Sequence, residues 1–189
     1  MKVLVACEFS GIVRDAFTAL GHDATSCDII PSERLNGKHM QCDAIEAAYS
    51  QHWDLMIAHP PCTHLAVSGA KHFHRKQAEQ QEALAFVRSL MRAQHIARIA
   101  IENPISIIST HIRKPDQIIQ PWQFGHRETK TTCLWLKGLP RLQPTHIVDA
   151  QGYSAVHAMG PSSSRAKDRS RTYVGIARAM AEQWGKIGT

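Results

Sequence analysis

Asp54-Leu-Met-Ile-Ala-His-Pro-Pro-Cys-Thr-His64 is the stretch on which the reading of the chain turns. Leu55 to Ala58 is an unbroken apolar run of strand length, and Pro60 and Pro61, unable to donate to a sheet ladder, end it. Cys62 is thereby held at the carboxyl end of a strand. In open α/β sheets ligands bind along that edge, so a thiol displayed there is placed for chemistry. Most free cysteines are small buried hydrophobes, however, and Cys62 alone carries no function without its neighbours in the fold.

Outward from this stretch the pattern alternates strand and helix. Lys2 to Cys7 predicts a first strand, followed by Glu8-Phe-Ser-Gly11 and a helix from Ile12 to Leu20 with Ile12, Ala16, Phe17 and Leu20 at helical spacing. Ser10 is expected to cap that helix, and Gly11 to let the backbone approach a ligand at its positive end. Gly21 closes the helix, and His22 to Cys27 predicts a second strand ending at Asp28, where such folds hold ribose hydroxyls. Pro31 to Lys38 reads as loop, His39 to Cys42 as a short third strand with Asp43 at its end, and Ala44 to Ser50 as a short helix. After Cys62, a polar segment from Ser68 to Lys76 precedes a long helix, Gln77 to Gln94, with Ala83, Phe86, Val87 and Leu90 on one face. Ala97 to Ile101 predicts another strand, which leaves through Glu102-Asn103-Pro104.

Beyond this point the pattern weakens. Ile105 to Gln120 reads as mixed helix and loop, Trp122 to Phe124 and Thr131 to Leu136 as an antiparallel strand pair around Gly125 to Lys130, and Leu139 to Ser170 mostly as loop. Thr172 to Lys186 is a closing helix with Ile176, Ala177, Met180 and Trp184 on its core side. No internal repeat interrupts the order.

A chain of 189 residues with 43% hydrophobic content suits one domain, residues 1–189, around one proper core. No apolar stretch is long enough to span a bilayer, and Met1-Lys-Val-Leu-Val-Ala-Cys7 is too short an apolar run for a signal peptide, so no membrane association and a cytoplasmic location are expected. Five cysteines, Cys7, Cys27, Cys42, Cys62 and Cys133, lack paired spacing and point to reduced thiols. The net charge of +6 is unevenly distributed: residues 111–189 hold 12 Lys and Arg against 5 Asp and Glu, whereas residues 1–110 hold 10 against 11. A one-sided positive field suits a polyanion such as nucleic acid, although a modest basic excess is also common on ordinary surfaces.

Cys62 and Glu102, each at a strand exit beside a nucleotide-type pocket, fit one reaction. A thiolate adds to carbon 6 of a cytosine ring, carbon 5 becomes nucleophilic toward the sulfonium methyl of S-adenosylmethionine, and a carboxyl group at ring nitrogen 3 stabilises the charge. Phe9-Ser10-Gly11, Asp28, Asp43, Pro60-Pro61-Cys62 and Glu102-Asn103 occur in the order and rough spacing of the DNA cytosine-5 methyltransferases, and the chain resembles the small phage-encoded members of that family. The resemblance covers roughly the first hundred residues, with Arg171-Thr-Tyr-Val-Gly-Ile176 loosely matching the family's last motif. It implies an α/β, Rossmann-like, S-adenosylmethionine-dependent methyltransferase fold with a mostly parallel sheet and a late antiparallel strand pair. It also implies Phe9, Ser10, Gly11, Asp28, Asp43 and Pro60 around S-adenosylmethionine, with Phe9 against the adenine, Asp28 on the ribose and Asp43 at the adenine amino group. Cys62 is then the nucleophile, Glu102 the group on the flipped base, and the location the cytoplasm of a bacterial host.

The departures from the family concern both sites. Val13 stands where a second glycine is usual, Thr63 replaces a glutamine, and Pro104 replaces a valine. The target-recognition insert is absent or reduced to 105–170, so sequence choice is expected to be weak, compact or supplied by a specificity partner or a homodimer. Asn103, Arg127, Lys130, Arg165, Arg169 and Arg171 are the candidate DNA contacts, with Lys167 beside them and Trp122, Trp135 or Tyr153 as stacking candidates; core packing competes for each tryptophan, above all Trp135. Duplex or single-stranded DNA would serve, the former at a flipping cost of roughly a few kcal/mol. Two other readings rank lower: an amino-group DNA methyltransferase, for which His59-Pro-Pro-Cys62 supplies neither the acceptor nor the aromatic face, and a metal site at His59, Cys62 and His64, which lacks a second ligand pair. A catalytically silent binding module of the same fold, gripping nucleic acid or a host protein, stays open.

Overall fold

The apolar runs of the sequence become strands buried on both faces. The structure is a computed structural model that describes residues 1–150, 152 and 165–187, the side chains of residues 71, 72, 165 and 166 apart. Its strands are β1 (Lys2–Ala6), β2 (Asp23–Asp28), β3 (Lys38–Gln41), β4 (Leu55–Ala58), β5 (Arg98–Pro104), β6 (Gln117–Ile119) and β7 (Thr132–Lys137). They form one sheet in the order β3-β2-β1-β4-β5-β7-β6, with the first five parallel and β7 antiparallel to both β5 and β6. This is the expected α/β, mostly parallel arrangement with a late antiparallel pair.

Alternation along the central strands divides the core in two. Leu4, Met56, Ile99 and Ile101 point to the face covered by α2 (Ala44–Ser50) and α3 (Gln77–Met91), where Trp53, Leu84, Val87 and Leu90 pack on them. Val3, Val5, Leu55, Ile57 and Ala100 point to the opposite face, covered by α1 (Ile12–Thr18) and a C-terminal helix, Val174–Trp184, through Phe17, Met180 and Trp184. Each fully buried Leu, Ile or Val contributes about 1.5–3 kcal/mol, so the two faces together fix the sheet from both sides. Continuous apolar composition, rather than strict alternation with polar residues, follows from burial on both faces.

Two late elements differ from the sequence expectation. The partner of β7 is Gln117–Ile119, inside the stretch that read as helix and loop, and Trp122 lies instead in a 3-10 turn, Pro121–Gln123. Pro121 suits the first position of such a turn, and the Gln120 and Gln123 side chains cap it reciprocally, which takes the segment out of the sheet. Within Leu139 to Ser170, Arg165–Ser170 is helical; with α4 (Ile108–His111) preceding it, it is α5, and the C-terminal helix is α6. Trp135 is a core residue, 1% exposed, whose Nε1 donates to the Arg113 carbonyl at 2.8 Å. Among the described residues no helix is long and apolar enough to cross a membrane.

Candidate active site

The sheet order reverses between β1 and β4, the place where a crevice opens outside the carboxyl ends of the strands. Cys7 to Gly11 and His59 to Cys62 leave their strands there, and Glu102 to Pro104, expected beyond the strand, are instead the last residues of β5, paired with Leu134 to Thr132 of β7. The loop carrying Cys62 is bound to the end of β5 by two side-chain bonds. Asn103 Nδ2 donates to the Pro60 carbonyl at 2.8 Å, and His59 Nδ1 lies 2.9 Å from Glu102 Oε2. Farther along, the Val67 amide donates to the Ile105 carbonyl at 3.1 Å and the Ile107 amide to the Leu65 carbonyl at 3.0 Å. Proline-stiffened backbone and these cross-links hold Cys62 in one place; the residue itself is exposed.

The two chemistry-bearing groups sense each other. Desolvation by the surrounding loops, followed by the Glu102 charge, pushes the Cys62 thiol above its ordinary value, while Arg169 and Lys130 pull it back. Burial works to raise Glu102 as well, but the His59 hydrogen bond and charge, with Lys130 in support, overcome it and hold the carboxyl below the usual range. Glu102 is thus an ionised acceptor at neutral pH, with His59 Nδ1 as its donor. The expected pair, thiol and carboxylate, share one electrostatic environment with two cations around it.

At the first turn the structure departs from expectation in its details. Gly11 is the helix N-cap at φ 69°, but the amides of α1 go chiefly to Glu8, whose carboxylate accepts from Val13 N at 2.7 Å and Arg14 N at 3.2 Å. The expected Ser10 cap is reduced to one bond from the Ile12 amide at 3.4 Å. Burial raises the Glu8 carboxyl, and the His59 charge and the two amides partly offset it. Arg14 is wholly buried, with Nε on Asp15 at 2.8 Å and Nη1 near Ser26 and Ser32 at 3.1 and 3.3 Å. The sequence does not single out Glu8 or Arg14, and it offers His59 only as a metal ligand or as part of an amino-methyltransferase loop; no local signal marks the roles the fold gives them.

The remaining candidates fall into groups. Phe9 is buried beneath Lys167 and Arg171, which stand 5.8 and 5.9 Å from its ring. Arg171 is bidentate to Glu33 at 2.6 and 3.0 Å and also pairs with Asp168, so it is engaged within the protein. Together these contacts seat residues 167–172 over the first turn. A cavity of about 10 Å³ is left, lined by Cys7, Glu8, Phe9, Ser10, His59, Ser170 and Thr172, room for about one water. Asp28 ends β2 with Oδ1 on the Ile30 amide at 3.2 Å, and the neighbouring Ile29 is exposed. Asp43 caps α2 through Oδ1, at 2.7 Å from the Ile45 amide.

Of the candidate DNA contacts, Arg127 is exposed, whereas Lys130 donates from Nζ to the Arg169 carbonyl at 2.9 Å. Asn103 is 1% exposed and turned into its bond with Pro60, so it positions the loop rather than facing a ligand. Tyr153 and the Arg165 side chain lie outside the described residues.

Neither a protein-family model nor a curated protein matches the chain. Among solved structures it is similar to a prophage-encoded candidate DNA modification methyltransferase of Escherichia coli, at 15% identity and a TM-score of 0.51, over 79% of this chain and 52% of that one. A methyltransferase of Entamoeba histolytica is similar at 17% identity and a TM-score of 0.48, over 86% of this chain and 60% of that one. The likeness to the E. coli structure is one of fold: the two share a Rossmann-like sheet, and this chain spans about half the length of that protein.

Proposed function

We propose that the chain transfers a methyl group from S-adenosylmethionine to carbon 5 of cytosine in DNA through a covalent Cys62 adduct. The observation that carries this reading is the placement of Cys62 and Glu102 on neighbouring strand ends beside the reversal point of a methyltransferase-type sheet, near enough for the Glu102 charge to act on the Cys62 thiol. S-adenosylmethionine supplies an electrophilic methyl group when bound. Among the described residues Asp28 keeps one carboxylate oxygen for ribose hydroxyls and Asp43 one for the adenine amino group, exposed Ile29 offers apolar surface for the adenine, and Phe9 joins it once Lys167 and Arg171 move off its ring. Gly11 and Ser10 border the methionine end, and Pro60, fixed by Asn103, keeps that wall in place.

Cys62 loses its proton to solvent and adds to carbon 6 of the base, with Lys130 and Arg169 favouring the thiolate. Glu102 meets the base at ring nitrogen 3, where a proton passed through its carboxylate neutralises the negative charge that the addition creates. Arg127, Lys130, Arg165, Arg169 and Arg171 supply the positive field for phosphates. With residues 105–170 in place of a full recognition insert, target choice is compact or depends on a partner or a second copy.

The small cavity favours one other reading. If residues 170–172 never withdraw from the first turn, the chain is a silent nucleic-acid-binding member of the fold. Transfer of labelled methyl from S-adenosylmethionine to cytosine-containing DNA separates the two, with Cys62→Ser as the control that binds cofactor and lacks turnover. Label in the DNA at carbon 5 eliminates the silent module. DNA binding without methyl transfer to any cytosine substrate eliminates the enzyme.

A further inference from the structure

His59 stands between two buried carboxylates that belong to different parts of the crevice. Its Nδ1 is bonded to Glu102 at 2.9 Å, its side chain is 7% exposed, and its Nε2 is buried with no hydrogen-bond partner among the described residues. On the other side it lines the small cavity with Glu8, and the two are near enough for the His59 charge to act on the Glu8 carboxyl. A neutral structural histidine in a core normally satisfies both nitrogens or turns one to solvent. This one does neither among the described residues, and its side chain lines the small cavity at the first turn.

Resting on the Cys62–Glu102 reading above, we propose that His59 is a positioning residue that aims the ionised Glu102 carboxylate at the base and supplies the proton that this carboxylate relays to ring nitrogen 3. When the Cys62 sulfur donates an electron pair to form the S–C6 bond, the C5–C6 π pair shifts to C4–C5, the C4–N3 π pair moves onto nitrogen 3, and nitrogen 3 takes up one proton through Glu102. His59 passes its Nδ1 proton to the carboxylate across the existing bond, and Nε2 is the site at which the imidazole regains a proton from a water in the cavity. After carbon 5 takes the methyl group, its hydrogen leaves as a proton to water, the C–H pair re-forms the C5–C6 double bond as sulfur departs with the S–C6 pair, and the proton on nitrogen 3 returns along the same path, so the pair ends each round as it began. The charges facing this pair are Glu8 from the end of β1 and Lys130 from the loop before β7, while Arg169 from α5 faces Cys62. A mobile proton between a carboxylate and an imidazole is the arrangement general acid catalysis at neutral pH requires.

The test uses the full chain and begins with a readout independent of methyl transfer. Carboxyl ¹³C titration of glutamate-labelled protein, with the Glu102 signal identified by its loss in Glu102→Gln, is compared between the unmodified chain and His59→Gln. Glutamine keeps a donor for Glu102 but carries no titrating proton, so the Glu102 midpoint rises as burial goes less opposed. An unmoved midpoint overturns the proposal. Should His59→Gln fail to fold, ring ¹⁵N shifts of His59 in the unmodified chain decide instead: Nδ1 protonated toward Glu102 sustains the pairing, and Nδ1 unprotonated overturns it.

Single-turnover methyl transfer then addresses the proton itself. His59→Gln lowers kcat by roughly tenfold or more with KM for DNA little changed, and imidazole in the buffer partly restores His59→Ala. A normal kcat in His59→Gln overturns proton supply by His59 while Cys62→Ser, inactive in parallel, leaves the methyltransferase reading standing. If the unmodified chain transfers no methyl group, that reading fails, and the Glu102 titration still decides the pairing.

Discussion

Asn103→Ala tests whether the chemistry-bearing loop is held by the strand beside it. Asn103 sits in β5 opposite Cys133 with 1% exposure, and its Nδ2 is the donor to the Pro60 carbonyl at 2.8 Å. Proline has no amide of its own, so the strand-end loop has few other ways to bind this turn. Removing the donor leaves a buried carbonyl unpaired, at about 1–3 kcal/mol. The Asn103 Oδ1 atom is already buried without a partner, and losing it returns part of that cost. A net loss of about 2 kcal/mol follows, equivalent to roughly 4–8 °C in a chain of this size. Asn103→Asp should be at least as damaging, because a carboxylate oxygen then faces the carbonyl oxygen. Urea unfolding at constant m-value reads the global loss, and the rate of Cys62 reaction with a disulfide reagent reads the local one, expected to rise as the loop frays. A global loss under about 0.5 kcal/mol with unchanged thiol reactivity would refute the claim that Asn103 fastens the Cys62 loop.

Three further outcomes are expected. Alkylation of Cys62 as a function of pH should show a midpoint above that of an ordinary thiol; Glu102→Gln brings it down and Lys130→Met pushes it up, and the opposite order would contradict the electrostatics described. Gly11→Ala should lower the unfolding free energy by at least the roughly 1–2 kcal/mol of a left-handed residue, because the added Cβ also falls 2.4 Å from Arg14 Nη2 in a side chain that has nowhere to go; a neutral result would show that the turn relaxes. DNA affinity should fall steeply with salt, and Arg127→Ala should reduce the log–log slope by about one, measured by fluorescence anisotropy; a slope near zero would remove the phosphate-contact reading.

Much of the fold was legible because the central strands are apolar throughout. Val3 to Ala6 and Leu55 to Ala58 are buried on both faces, and no alternative structure hides four consecutive apolar residues so cheaply next to a glycine turn or a proline pair. The late strands were harder. Gln117-Ile-Ile119 is three residues long, has one exposed isoleucine, and gains its strand character only from pairing with β7. Trp122-Gln-Phe124 has the stronger β composition, yet the proline before it and the glutamine on either side satisfy its backbone locally. Tertiary pairing in the first case, and local capping in the second, overrode composition.

The site was legible only where residue type itself announces chemistry. Cys62 after two prolines and Glu102 at a strand exit can be recognised from spacing, since both need only the strand to place them. Glu8, Arg14 and His59 could not be, because their roles arise from partners 5 to 43 residues away: α1 amides for Glu8, Ser26 and Ser32 for Arg14, Glu102 for His59. A buried charge is tolerated only when such partners converge, and convergence is a property of the folded sheet. The same reasoning qualifies the basic surface. A count of lysines and arginines gives a field, but Arg171 is committed to Glu33 and Asp168, and Lys130 to two backbone carbonyls, so Arg127 and Arg169 carry more of any phosphate binding than their share of the count suggests. Charge that the fold has already spent on holding residues 167–172 over Phe9 becomes available to DNA only when that segment lifts, which ties polyanion binding to access at the first turn.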